Sequence, residues 1–320
     1  MAIVNETLSR DPEVTKRMIA AGNDAMDRIY RENVFQQAEQ RHRRIEESSK
    51  AADVLFRAVS PDGLKEDIPL QATLLDRYKS RDQTGFSPRD SEVAKALTIR
   101  PFPSIQEVRD AIIIGFVPFH DDTTLTLLGP PYMDKWTSVR ADAATSNAFA
   151  NHQDGSFGFV QGTSGGWVTS AAGIWVQFAP KPPLPRLIQL RAYCPYQYQW
   201  NNASSQGYTA HTKGGFGLNV FSFDSQGHNP TEVQKPKYPI WNDGTGWFED
   251  HSNPNFDDFD EDCAFQFSNM APYFQAFPNR LYTACFWCFG SNDAGSGLFG
   301  NAISASDIFA KLGFVVVGQQ

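Results

Sequence analysis

The chain carries no tryptophan before Trp136, only four cysteines in 320 residues, and no apolar run longer than AIIIGFV at residues 111–117. Each scarcity excludes something. Seven apolar residues cannot cross a bilayer, which takes about 20 in a helix, so no transmembrane segment is expected. The start, MAIVNETLSRDPEVTKRM, has neither the basic segment nor the apolar run of a secretory leader. A soluble protein of cytoplasmic synthesis is therefore expected, and release or export by a specialised route would leave no mark in the residues. Positive charge is scarce as well: the net charge is −8. Sequence-independent nucleic-acid binding needs clustered Lys and Arg, and so does docking on an anionic membrane. Neither partner is expected. Strongly anionic substrates are disfavoured for the same reason unless a cation bridges them.

Familiar reactive motifs are missing too. QGTSGG at 161–166 lacks the GK[ST] ending of a phosphate loop, and GGFGLN at 214–219 lacks the following helix of a dinucleotide fingerprint. No GxSxG nucleophile elbow occurs. Cys285 and Cys288 form a CxxC, accompanied by Cys194 and Cys263, but the setting RLYTACFWCFG reads as a strand. Side chains three apart on a strand point to opposite faces. The pair is expected to be two buried, unlinked thiols without a metal.

What is present falls into two regimes. Acids and bases balance up to about residue 58, whereas all seven tryptophans and most of the negative excess lie later. Residues 12–58 read as helix, with Pro12 in the first turn and Ser9 or Asp11 as cap. Val14, Met18, Ala21, Ala25 and Ile29 recur at helical spacing; Ala38, His42, Ile45, Ser49, Ala52 and Phe56 continue it on a heptad spacing. So thin a stripe suggests a coiled-coil-like oligomerising or docking helix, making a homo-oligomer the expected state. The alternative is a helix folded back along its own C-terminal domain. Shorter helices are expected at 69–80 and 88–98, and RPFPS at 100–104 marks a boundary.

Beyond it the period becomes two. LIQLRAYCPYQYQW at 187–200 alternates cleanly, and AAGIWVQF, FGLNVFSF, CAFQF, RLYTACFWCF and FVVVG read as further strands. No strand leads into a clear helix, which argues against parallel βαβ units. The expected class is α+β: a helical oligomerisation or docking region over 1–100, then an antiparallel, jelly-roll-like β-sandwich over 101–320.

The chemistry-bearing candidates cluster late. In WNDGTGWFEDHSNPNFDDFDEDC at 241–263, Asp243-Gly244 reads as a hairpin tip. The acids after Trp247 read first as a solvated loop. An EF-hand is excluded for want of its glycine, whereas an irregular calcium site on Asp257, Asp258 and Asp260 stays open. No other cofactor is called for. His120-Asp121-Asp122 reads as a polar hairpin tip, and His152 with Asp154 is a second metal candidate. Trp200, Asn201, Asn202, Trp241, Asn242 and Trp247 are residue types that stack on sugars and bond their hydroxyls. The leading reading is therefore a non-enzymatic, lectin-like binding or assembly protein whose sandwich recognises a glycan or protein ligand. A glycoside hydrolase using Glu249 or Asp250 with acids from another strand is the rival. A membrane-active toxin comes last, because the helix is neutral and poorly amphipathic.

Overall fold

The structure, a computed structural model, describes residues 11–59, 124–181, 185–204, 208–246, 249–252, 265, 270–298 and 301–319. Asp11 caps α1 (Pro12–Tyr30), its side chain accepting from Glu13 N at 2.9 Å. This closes one of the open donors of the first turn. A π turn at Arg31–Phe35 leads into α2 (Gln36–Val59). The spacing explains that turn. Met18, Gly22, Met26, Tyr30, Val34 and Ala38 are buried at steps of four. Each such step overruns a helical turn by about 40°, so five of them would carry the stripe round to solvent. The wider π turn resets the phase.

Every strand pairing described is antiparallel. One sheet has the order β1 (Thr124–Leu128), β13 (Phe314–Gln319), β4 (Arg186–Tyr193), β10 (Tyr273–Ala276). The larger sheet runs β7 (Thr231–Gln234), β6 (Ala210–Phe223), β11 (Leu281–Ala294), β3 (Ser156–Phe178), β12 (Ala302–Lys311), β5 (Tyr196–Ser204), β9 (Asp250–Ser252). To it β2 (Asp134–Asn151) adds against β3, and β8 (Lys237–Gly244) against β6. The long β3 bends at Gly165, whose φ of 134° suits glycine. Before the bend it pairs with β12, after it with β11, and β2 follows its other edge throughout.

Strands β3, β6 and β11 are apolar on both faces because both are covered. Ile174, Leu218, Phe286 and Cys288 meet Ile188, Leu190, Val315 and Val317 of the small sheet. Trp175, Phe221, Cys285 and Trp287 meet Met18, Met26 and Tyr30 of the helix. The expected order of helix and then antiparallel, sandwich-like sheets holds. Cys285 and Cys288 do lie on opposite faces, buried and unlinked, and burial pushes both thiols up.

The helix departs from the leading expectation. Its stripe lies against its own sheet, so no coiled-coil seam is needed to bury it. Polar tethers fix the docking. Trp175 Nε1 donates to Asn23 Oδ1 at 2.8 Å and Trp136 Nε1 to Asp27 Oδ1 at 2.9 Å. The Tyr30 hydroxyl bonds Thr169, and Tyr208 donates to Asp53 at 2.5 Å. Gly22 supplies the close approach: a Cβ there would sit 2.9 Å from the Trp175 ring. Among the described residues, no helix is long and apolar enough to cross a membrane. The expected boundary near 101, the helices at 69–80 and 88–98, and His120-Asp121-Asp122 lie outside the described residues.

Candidate functional site

Alternation along β5 places Tyr198, Trp200 and Asn202 on the face that looks into the sandwich, as it does Trp241 and Asp243 along β8. Tyr198 and Trp241 stack, with centroids 5.4 Å apart and rings 6° from parallel. Trp200 packs half-buried beside them. The same rule sends Asn201 and Asn242 to the other face. There Asn242 lies close enough to His211 to pull its pKa up against burial, and the buried Asn201 Oδ1 has no partner. Of the six expected ligand-binding residues, Trp200, Asn202 and Trp241 share a face, on which Asn202 and Trp241 are buried, and Asn201 and Asn242 do not. Trp247, like Asp257, Asp258 and Asp260 of the calcium expectation, lies outside the described residues.

The Asp243-Gly244 turn signal marks the end of a strand but not a hairpin. β8 pairs with β6, whereas β9 pairs with β5. The chain leaves because Thr245 is held by Ala210, its Oγ1 accepting from Ala210 N at 3.0 Å. This crossing brings His251 back beside Asp243: Nδ1 lies 3.2 Å from both carboxylate oxygens. Glu249 Oε2 stands 3.7 Å from Nε2 of the same ring. The three side chains form an accessible rim, with His251 39% and Asp243 25% exposed. Asp250, exposed on β9, alternates away from His251.

Behind the rim runs a ladder of buried amides and hydroxyls. Asn202 Nδ2 donates to Asp243 Oδ2 at 2.9 Å, and Asn202 Oδ1 lies 2.8 Å from Ser304 Oγ. Ser304 accepts from Asn292 Nδ2 at 2.8 Å, and the same amide reaches Thr212 at 3.2 Å. Thr212 in turn accepts from Trp241 Nε1 at 3.0 Å. Asn292 Oδ1 takes bonds from Ser306 and Gln161, leaving the buried Gln161 Oε1 without a partner. A connected network holds its members in single geometries, so Asp243 is presented rigidly at the rim, with Trp241 fixed in the core behind it. Sequence reasoning missed Gln161, Thr212, Asn292, Ser304 and Ser306. The available signal was polar residues at every second position inside otherwise apolar strands, as in SASD at 304–307.

His152 and Asp154 resolve as turn chemistry. Asp154 accepts from Ser156 N at 2.9 Å and Ser156 Oγ at 2.7 Å, and His152 Nε2 contacts Gln153 at 2.7 Å.

No protein-family model and no curated protein matches the chain. Among solved structures it is similar to TmCBM61 in complex with β-1,4-galactotriose, at 11% identity and a TM-score of 0.14, over 55% of this chain and 88% of that one. A second is the enzymatically active domain of bacteriophage CBA120 tailspike protein 4, at 15% and 0.15, over 60% of this chain and 19% of that one. A third is infectious bursal disease virus, Gx strain, at 8% and 0.16, over 68% and 42%. Likenesses at these scores carry no argument about function.

Proposed function

We propose that this is a non-enzymatic binding protein whose large sheet recognises a carbohydrate at the rim of Trp200, Asp243, His251 and Glu249. The observation that carries the reading is the half-buried Trp200 on the same face as Asn202, whose amide holds Asp243 in place. An aromatic face takes the C–H side of a sugar ring, while carboxylate and imidazole bond its hydroxyls. Small-ligand sites have this make-up, apolar surface with a few fixed polar groups.

A glycan array followed by calorimetry on the best ligand tests it. Trp200→Ala is expected to weaken binding at least tenfold, about 1.4 kcal/mol, with Asp243→Ala similar. An array without ligands, or binding indifferent to both substitutions, rejects the reading.

The hydrolase reading finds one supporting observation, two carboxylates from different segments on either side of His251. The scissile bond of a glycosidase substrate must lie between its carboxylates, and here the His251 imidazole fills that position. Binding without release of new reducing ends is therefore expected, and turnover lost in Glu249→Gln would reverse the assignment.

A further inference from the structure

The rim is short of positive charge. Among the described residues, every other ion pair sets a carboxylate against Arg or Lys: Asp293 meets Arg41, Glu39 meets Arg43, Glu46 meets Lys50 and Glu232 meets Lys235. At the rim, Asp243 and Glu249 share one imidazole, that of His251. The exposed Asp250 stands next to both Glu249 and His251 in the chain. Even with the ring protonated, one positive charge faces three carboxylates. Lys213 and Arg41 do not make up the difference. Lys213 pairs with Asn242, so alternation turns it toward the helices, where Arg41 bonds Asp293 and Ser291.

What else holds the two carboxylates is neutral. Asn202 Nδ2 donates to Asp243 Oδ2 at 2.9 Å, and Gly246 N donates to Glu249 Oε2. Amides fix these groups in place without cancelling their charge. Glu249 Oε1 receives no donor among the described residues, and its side chain is 48% exposed. Register puts the aromatic surface beside these acids. His251 lies opposite Asn202 in the β5–β9 ladder, and Trp200 is two residues along β5 on the same face. Such diagonal neighbours stand about 7–8 Å apart, within the span of a disaccharide. A sugar ring on the Trp200 indole therefore has its neighbour at the imidazole, with a carboxylate at either end of that ring.

We propose that the rim prefers glycans carrying free amino groups, with a sugar ammonium on Glu249 and Asp243 and an adjoining ring on Trp200. This rests on the carbohydrate reading and adds to it the class of sugar. An ammonium brings three donors and no acceptor, which suits a surface of unshared carboxylate oxygens. It also brings a charge attraction that a hydroxyl at the same position lacks. The same surplus of carboxylates repels sugars that bear carboxylate or sulfate groups.

The test is calorimetry of the full chain at pH 6 with two probes, oligomers of β-1,4-linked glucosamine and of β-1,4-linked glucose, which differ only at C2. The glucosamine oligomer is expected to bind at least tenfold more tightly, and high salt to narrow that margin. Glu249→Gln and Asp243→Asn should each bring the ratio of the two affinities toward one. Glu39→Gln, which removes an acid of α2 paired with Arg43, should leave the ratio unchanged. Trp200→Ala should weaken both probes alike, because both lie on the same indole. Equal binding of the two probes, each weakened by Trp200→Ala, overturns the amino-sugar preference and leaves the carbohydrate reading standing. Failure of every glycan, these probes included, rejects both. A preference that survives both rim substitutions, or that falls as far with Glu39→Gln, is unspecific attraction to a chain of net charge −8 and overturns the proposal. Tighter binding of a carboxylated or sulfated glycan does the same.

Discussion

The two faces of the large sheet are built from the same strands and solve different problems. Toward the small sheet, β3, β6 and β11 present mainly aliphatic and phenyl groups, with the hydrogen-bonded Gln161, Thr212 and Asn292 confined to one end of that face. Toward the helix they present indoles, and the tethers to Asn23 and Asp27 each bind an indole N–H. Apolar burial has no direction, so a single helix on a greasy sheet could rotate or slide. Hydrogen bonds to fixed atoms remove that freedom. A second sheet is held in register by its own strands and needs no such device.

Removing residues 1–59 breaks the comparison most severely. Trp175 and Trp287, 1% and 0% exposed, would be uncovered with Phe221 and Phe223. A contiguous apolar patch of that kind drives association. Aggregated protein with red-shifted tryptophan fluorescence is expected. If the helix served mainly to assemble copies, light scattering would instead find a soluble, folded chain with fewer subunits.

Within the sandwich, Phe286→Ala should cost about 3–5 kcal/mol by urea unfolding, through lost burial and an open cavity. Phe286 is fully buried edge-on to Phe265. On the helix side Trp175→Phe keeps most of the ring and loses one hydrogen bond, a cost of about 1 kcal/mol beyond the small change in volume. Equal effects would contradict the division of labour between the faces.

The smallest effects are in pH dependence. Burial holds Asp293 up to about 6, against the pull of Arg41. Its contribution to stability is full below its ordinary value of 3.8 and is lost as pH rises through about 6. Burial and then Arg41 push His211 down to about 4. The stability tied to its neutral form is full above 6.5 and is lost as pH falls through about 4. The two oppose each other across a single cross-strand pair. Between pH 4 and 6.5, His211→Gln should therefore make the slope of stability against pH more negative, and Asp293→Asn more positive. Unchanged slopes in both would mean that neither group titrates in place.

Much of this architecture was legible in the residues because it is decided over a few positions. The Asp11-Pro12 cap, the helix over 12–58, the change from helical to alternating period and the opposite faces of Cys285 and Cys288 all follow from local geometry. The site was legible only in fragments. Alternation alone separates Trp200 and Asn202 from Asn201, and Trp241 from Asn242. The return of His251 to Asp243 could not be read, because the local turn signal pointed to a hairpin.

What the sequence by itself determined was which residues share a face, since that depends only on the period of the backbone. What covers each face was decided by tertiary structure alone. Asn202 meets Asp243 across 41 residues and Ser304 across 102, and Arg41 meets Asp293 across 252. The stripe on the helix fits a second helix or a sheet equally well. Only the indoles of β2, β3 and β11, gathered by strand pairing onto one surface, made its own sheet the partner that buries more.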